Sequence, residues 1–140
     1  MVTDTNMALS GVSKATLAKL GGKAVCLMAD ELVASEAKRA VSRGSRFDGG
    51  TRQFEGPLIF AIGNAPTALI RLHELIEEGI VAPALVIGVP VGFVNVVEAK
   101  ELFIGGDTPY IIARGRKGGS NVAASIVNAL LYQLVHREGF

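Results

Sequence analysis

The sequence is poor in cysteine and in long apolar runs, which excludes several classes of protein. Cys26 is the only cysteine among 140 residues, so neither an internal disulfide nor a cysteine-based metal cluster is predicted. No apolar run approaches the ~18–20 residues that a membrane span needs. Near the N-terminus Asp4 arrives early and no long apolar stretch follows, so we expect no secretory signal. These features predict a cytoplasmic protein that does not cross a membrane.

An excess of charge of one sign is also lacking. The 14 lysines and arginines are balanced by 13 acidic residues, which gives a net charge of +1. That balance does not draw the whole protein toward nucleic acid or a membrane surface, and the aromatic platform of single-strand binders is missing. We therefore expect no nucleic-acid partner. A local cation cluster in such a protein suits a small anionic ligand.

The composition and the apolar pattern together predict one compact α/β domain over residues 1–140. Continuous apolar runs alternate with helical patterns, which is typical of a parallel sheet covered on both faces, and right-handed crossovers make it doubly wound. The last helix is apolar almost all round, so we expect it to be largely buried. The predicted strands are 2–3, 24–28, 58–62, 84–89 and 110–113, and the predicted helices are 13–20, 30–40, 66–79, 95–103 and 120–136.

The unusual segments of the chain follow predicted strands. In a doubly wound sheet, ligands bind beyond the carboxyl ends of the strands, where the strand order reverses. We expect four post-strand turns to meet at that edge and to form a binding site. A purely structural use of these turns is the alternative. The turns are residues 4–6, 63–67, 90–93 and 114–120.

The last of these turns, 114–120, carries three cations and three glycines between a strand and a helix. Glycine lets a ligand approach the backbone closely, and a helix N-terminus offers unpaired N–H groups to anions. Arg114 and Arg116 can each grip a carboxylate through two parallel hydrogen bonds. A solvated basic turn explains the same spacing, and both interpretations stay open.

The other turns offer polar candidates. Asp4, Thr5 and Asn6 can hydrogen-bond a ring or a carboxylate, or they can cap local backbone. Asn64 and Thr67 can supply polar contacts, although Thr67 also suits the start of a helix.

Several further residues favour a structural interpretation. We interpret Glu98 and Lys100 as a solvated helix surface, His73 as a boundary residue and Tyr110 as edge packing. His136 is interpreted as a solvated tail residue. No metal-ligand spacing and no nucleophilic catalytic set are present, and the turns lack the spacing of a dinucleotide fingerprint or a P-loop.

The strand-end turns resemble, in order and spacing, those of the precorrin-8X methylmutase (precorrin isomerase) family. The resemblance covers almost the whole chain except about 40–55. It implies a flavodoxin-like sheet of order 2-1-3-4-5, a homodimer with the active site near the subunit interface, and no cofactor. The segments that carry it are VTDTNMA (2–8), AIGNAPTAL (61–69), VIGVPVGFV (86–94), EAK (98–100), RGRKGGS (114–120) and VNAL (127–130).

The resemblance also implies an activity. The family moves one ring methyl group of a tetrapyrrole from C-11 to C-12 in cobalamin biosynthesis. The substrate is precorrin-8X or cobalt-precorrin-8, and the product is hydrogenobyrinic or cobyrinic acid. Such a shift needs a fixed macrocycle and control of protonation. The candidate substrate-binding residues are Asp4, Thr5, Asn64, Thr67, Arg114, Arg116, Lys117, Gly118, Gly119 and Ser120.

The sequence departs from the family in two places. Family members are longer at the N-terminus, and the histidine taken to protonate the macrocycle lies in that mainly helical region. It has no counterpart here, so no catalytic residue is predicted, and a non-catalytic member that only binds a corrinoid is the alternative function. Lost helices would expose apolar surface, so we expect a homo-oligomer, a dimer or higher. Residues 42–56, where the family usually has a helix, are interpreted as a poorly ordered connection, with a mobile lid as the alternative.

Overall fold

A computed structural model describes residues 1–26, 58–79 and 81–139 of the chain. Its sheet has five parallel strands in the order β2-β1-β3-β4-β5, which confirms the predicted fold class and strand order. The predicted helix at 30–40 and the predicted loop at 42–56 lie outside the described residues. The strands are β1 (Val2–Thr3), β2 (Val25–Cys26), β3 (Ile59–Ile62), β4 (Leu85–Gly88) and β5 (Tyr110–Ile112).

Among the described residues, the helices agree with the predicted ones except near the N-terminus, where residues 4–6 were expected to form only a turn. Thr5 caps an additional short helix there, because its Oγ1 accepts the N–H of Ala8 at 3.1 Å. Pro66 begins the helix after β3, as its fixed φ favours. The helices are α1 (Asn6–Gly11), α2 (Lys14–Lys19), α3 (Pro66–Glu77), α4 (Val96–Glu101) and α5 (Ser120–Gly139).

Helices cover both faces of the sheet, as predicted. Successive strand residues face opposite sides, so Phe60 and Ile62 belong to one core cluster while Ala61 belongs to the other. The first cluster contains α3 and α4, through residues such as Leu72 and Ala99. The second cluster contains α2 and α5 and the residue that follows α1. The two layers hold the strands so that all their carboxyl ends lie at one edge.

The prediction that the last helix is largely buried is wrong. Helix α5 buries one stripe, formed by Ala123, Ala124, Val127 and Leu131. Tyr132 and Leu134 are each 48% exposed. The helix lies in the outer layer, so only the stripe that meets the sheet and α1 is covered, whatever the composition of its other sides.

Among the described residues, no helix is both long and apolar enough to cross a membrane.

Candidate functional site

The predicted meeting of the strand-end turns at the carboxyl edge is confirmed. The turn after β5, residues 114–119, is called the basic turn below. Its Gly119 N–H donates to the carbonyl of Val89 at 2.8 Å, and Gly92 N–H donates to the carbonyl of Arg116 at 3.2 Å. These two hydrogen bonds join the basic turn to the turn after β4. The two turns therefore form one continuous surface.

Asp4 joins the turns that follow β1 and β3, the two central strands between which the strand order reverses. It is only 3% exposed. One carboxylate oxygen accepts the N–H of Gly63 at 3.0 Å, and the other accepts those of Asn64 and Ala65 at 2.8 Å each. The carboxylate thus occupies the anion position in front of α3. Of the two roles offered for Asp4, binding a ligand or capping backbone, the structure shows the second, although the backbone that Asp4 binds is distant in the sequence.

Thr5 joins the start of α1 to the start of α5. Its Oγ1 accepts the N–H of Ala8 and lies 2.8 Å from the Oγ of Ser120. Both hydroxyl-bearing residues are half-buried. Thr5 and Ser120, two of the predicted site residues, are therefore in direct contact beneath the edge.

Two glycines at this edge allow backbone to pass close to backbone. A Cβ on Gly63 would lie 2.7 Å from the carbonyl oxygen of Gly119, and a Cβ on Gly118 would lie 1.9 Å from that of Val89. No other residue fits either place without a shift. The sequence analysis assigned the glycines of the basic turn to ligand approach. The structure shows that Gly118 also lets two turns approach each other.

Lys100 was interpreted as part of a solvated helix surface, and that prediction is wrong. The residue is completely buried, and its Nζ donates to the carbonyls of Gly115 at 2.8 Å and Lys117 at 2.9 Å. Loss of solvent by burial lowers the pKa of the Lys100 amine below its ordinary 10.5. Its spacing of i+4 from the buried Val96 is the sequence signal that indicates the inward face. Glu98, on the same helix, is exposed as predicted.

The three cations of the basic turn are all exposed, but their surroundings differ. Arg114 forms a two-pronged ion pair with Glu101, with Nε–Oε1 and Nη2–Oε2 distances of 3.1 and 3.2 Å. Hydrogen bonding to Glu101 raises the pKa of Arg114 further above its ordinary value. The guanidinium of Arg116 lies over the ring of Phe93, 5.6 Å from its centroid. Arg114 already holds a carboxylate of the chain itself, whereas Arg116 stacks on an apolar surface.

Apolar side chains at the same edge were missed by the sequence analysis. In the turn after β4, Phe93 is 82% exposed and Val94 is 78% exposed, and Met7 at the start of α1 is 71% exposed. Large apolar residues inside a turn that also contains Gly92 are the signal that could have found them, because a turn buries little. The edge therefore combines an exposed apolar surface with cations, which suits a flat ligand that carries carboxylates.

Two remaining site predictions lie at the start of α3. Asn64 and Thr67 are both exposed there, and Asn64 gives its backbone N–H to Asp4. The structure brings them to the same edge as the basic turn, because Gly63 contacts the backbone of Gly119.

His73 lies in the middle of α3. Its ring meets that of Phe103 edge-on, with 5.5 Å between the ring centroids, and its Nε2 lies 3.6 Å from Oε1 of Glu77. These contacts confirm a boundary position. The hydroxyl of Tyr110 accepts the N–H of Gly105 at 3.1 Å. The side chain of His136 lies outside the described part of the structure. Within that part, no cluster of His, Cys, Asp or Glu could hold a metal ion.

The fold and this edge define a doubly wound, flavodoxin-like α/β domain whose strand-end turns present cations beside an apolar surface. Comparison with known proteins gives the family. The model of the CbiC (precorrin-8X methylmutase) family matches residues 1–133. The chain belongs to the precorrin-8X methylmutase family, and the resemblance found in the sequence is confirmed.

Individual relatives agree with this assignment. The chain is 46% identical over 136 residues to a cobalt-precorrin-8 methylmutase of Salmonella typhimurium, covering 94% of this chain and 62% of that protein. It is 37% identical over 134 residues to a precorrin-8X methylmutase of Pseudomonas aeruginosa, covering 93% of this chain and 64% of that protein. It thus spans less than two thirds of the length of these relatives. Among solved structures, a precorrin-8x methyl mutase from Thermus thermophilus matches with a TM-score of 0.74 and 37% identity, covering 99% of this chain and 68% of that one.

Proposed function

We propose that this chain binds precorrin-8X or cobalt-precorrin-8 at the carboxyl edge of its sheet and acts as an isomerase in cobalamin biosynthesis. The reaction moves a methyl group from C-11 to C-12 and gives hydrogenobyrinic or cobyrinic acid. The observation that carries the proposal is the stacked Arg116–Phe93 pair beside the basic turn, in a chain of this family.

The chemistry of the edge matches the chemistry of such a substrate. A precorrin has an apolar ring body and a rim of acetate and propionate groups. Phe93 and Val94 are exposed and can contact the ring, while Arg116 and Lys117 can pair with carboxylates at its rim. Asn64 and Thr67 are exposed at the same edge and would help to set the pose, together with the backbone of 118–120.

Asp4 and Thr5 enter the proposal through the turns that they hold. Asp4 fixes the turn that carries Asn64, and Thr5 contacts Ser120 at the start of α5. A methyl migration is intramolecular and needs no external group, so a fixed macrocycle conformation and control of ring protonation would supply the catalysis. The proposal requires no cofactor and assigns no proton donor.

We further propose a homo-oligomer, a dimer or higher, located in the cytoplasm. The exposed apolar residues Met7, Phe93 and Val94 support an oligomer, because contact with another copy would remove these side chains from water. The location is inferred from the sequence alone.

The test is absorption spectroscopy of the purified 140-residue chain mixed with precorrin-8X, with the Salmonella relative as a positive control. Appearance of the hydrogenobyrinic acid spectrum over many turnovers is expected. Binding without conversion, in a batch where the relative is active, would contradict the isomerase and leave a corrinoid binder.

Placement of the site is tested separately with Arg116→Ala. We expect its affinity for cobyrinic acid to fall about tenfold, because one charge-assisted contact and one stacking surface are lost together. Lys19→Ala removes an exposed cation at the end of α2 and is the matched control. Equal affinities for the two variants would place the site elsewhere.

A further inference from the structure

Lys100 is a completely buried cation whose two hydrogen bonds both end in the basic turn. The acceptors are the carbonyls of Gly115 and Lys117, which lie on either side of Arg116 in the chain. One ammonium group therefore fixes the backbone on both sides of the arginine that stacks on Phe93.

The geometry of these two peptide groups decides where their N–H groups point. In a trans peptide the carbonyl and the following N–H point in opposite directions, and no cis peptide bond occurs in the described residues. Because the carbonyls of Gly115 and Lys117 point at Lys100, the N–H groups of Arg116 and Gly118 point away from it. The turn thus directs its negative dipole ends inward.

We propose that Lys100 is a positioning residue that makes the basic turn selective for carboxylates. It takes up two carbonyl oxygens that would otherwise repel an anionic ligand, and it holds the backbone from which Arg116 and Lys117 project. Lys100 would act through these groups without touching the substrate. The inference rests on the proposed function, since it explains how the same site recognises the acidic rim of a corrin.

Burial strengthens this arrangement. A hydrogen bond from an ammonium group is stronger than one between neutral groups, and more so where water is excluded. The burial of Lys100 disfavours its charged form and lowers the pKa of the amine, so the charge is maintained against a desolvation cost. The two carbonyls of the basic turn are the groups that offset this cost.

The experiment separates positioning from mere support of the fold by its choice of ligand. Calorimetric titrations would compare cobyrinic acid with the same corrin in which all side-chain carboxylates are amides. The proteins compared are the wild type, Lys100→Met and Leu72→Ala. Leu72 is a residue of α3 that is fully buried in the core, so its variant loses stability without touching the basic turn.

For Lys100→Met we expect about tenfold weaker binding of cobyrinic acid and little change for the amide, which lowers the acid-to-amide preference. Leu72→Ala should keep the wild-type preference while it remains folded. The Gly119 amide, which donates to Val89 at 2.8 Å in the wild type, should exchange faster with solvent in Lys100→Met. That change would show that the turn itself has loosened.

Three results would overturn the inference. Unchanged preference in folded Lys100→Met would overturn it and leave the proposed function intact. Failure of the wild type to bind cobyrinic acid would overturn the proposed function and this inference with it. If Lys100→Met does not fold, Lys100→Gln, which keeps a polar end without the charge, is measured in the same way. A wild-type acid-to-amide preference in Lys100→Gln would also overturn the inference.

Discussion

Two turns at the same edge of the sheet are held by buried charges of opposite sign. In the turn after β3, the Asp4 carboxylate accepts the N–H groups of residues 63–65. In the basic turn, the Lys100 ammonium group donates to the carbonyls of Gly115 and Lys117. In the first turn, amide donors are already hydrogen-bonded to the protein's own carboxylate. In the second turn, carbonyl acceptors are already hydrogen-bonded to the protein's own ammonium group. The basic turn is therefore the one suited to a bound anion.

Doubly wound folds often bind a phosphate between a strand and the following helix, but in the turn before α3 the N–H groups of residues 63–65 already donate to Asp4. The anion that satisfies these amides is part of the chain. Asp4 links the two central strands, β1 and β3, whereas Lys100 links α4 to a turn beyond the last strand of the described sheet. We infer that Asp4 mainly sets the stability of the scaffold and Lys100 mainly sets recognition.

The largest expected effect is that of Asp4→Ala, which should lower the free energy of unfolding by about 3 kcal/mol. The substitution leaves three N–H groups without their carboxylate acceptor in a largely dry place. Urea unfolding followed by circular dichroism measures this. Formate should restore part of the loss, because it can replace the missing carboxylate.

Asp107→Ala, at an exposed position between α4 and β5, is the control for Asp4→Ala and should change stability little. Equal unfolding curves for the two variants would contradict a scaffold role for Asp4. Stability loss without any response to formate would mean that the amides are not an anion site even when vacated.

An intermediate effect is expected from Gly118→Ala, with Gly115→Ala as its partner in the same turn. A Cβ on Gly118 would meet the carbonyl of Val89 at 1.9 Å, whereas one on Gly115 meets nothing within 4 Å. Gly115 has φ of +91°, so alanine there is strained by about 1 kcal/mol. We expect a loss of about 2 kcal/mol for Gly118→Ala, since backbone must move to relieve the clash.

Thermal unfolding of both glycine variants measures the difference. Similar losses would mean that conformational strain alone limits the turn, and that its contact with the turn after β4 is not tight in solution.

Much of this edge could be predicted from the sequence, because the signals are local. Apolar runs such as 58–62 and 84–89 predict buried strands, and parallel topology then brings their following turns together. The cations of the basic turn are visible in the sequence as a cluster. These arguments use only short windows of sequence and the general geometry of the fold.

The contacts of Asp4 and Lys100 could not be predicted from the sequence, because their partners are distant along the chain. Asp4 bonds backbone 59–61 residues away, and Lys100 bonds carbonyls 15 and 17 residues away. Neither relation has a period or a motif. Helix α1 is only six residues long, so its residues show no helical period, and it begins shortly after a two-residue strand, so the sequence predicts only a turn there. The exposed sides of α5 depend on what packs against it and not on its composition.

The smallest expected effect is that of Glu101→Gln, and it sharpens the comparison within the basic turn. Glu101 holds the guanidinium of Arg114 at 3.1 and 3.2 Å, so a carboxylate of the chain occupies a group that could bind one from a ligand. Removal of this charge should raise the affinity for cobyrinic acid about threefold, a small factor because the pair is exposed and screened by solvent. Glu98→Gln, exposed on the same helix, is the matched control for the change in net charge. A larger gain in affinity for Glu101→Gln than for Glu98→Gln would show that Arg114 is a third cation able to bind the ligand, and that Glu101 limits it. Equal gains would mean that only the overall field had changed and that Arg114 does not meet the ligand.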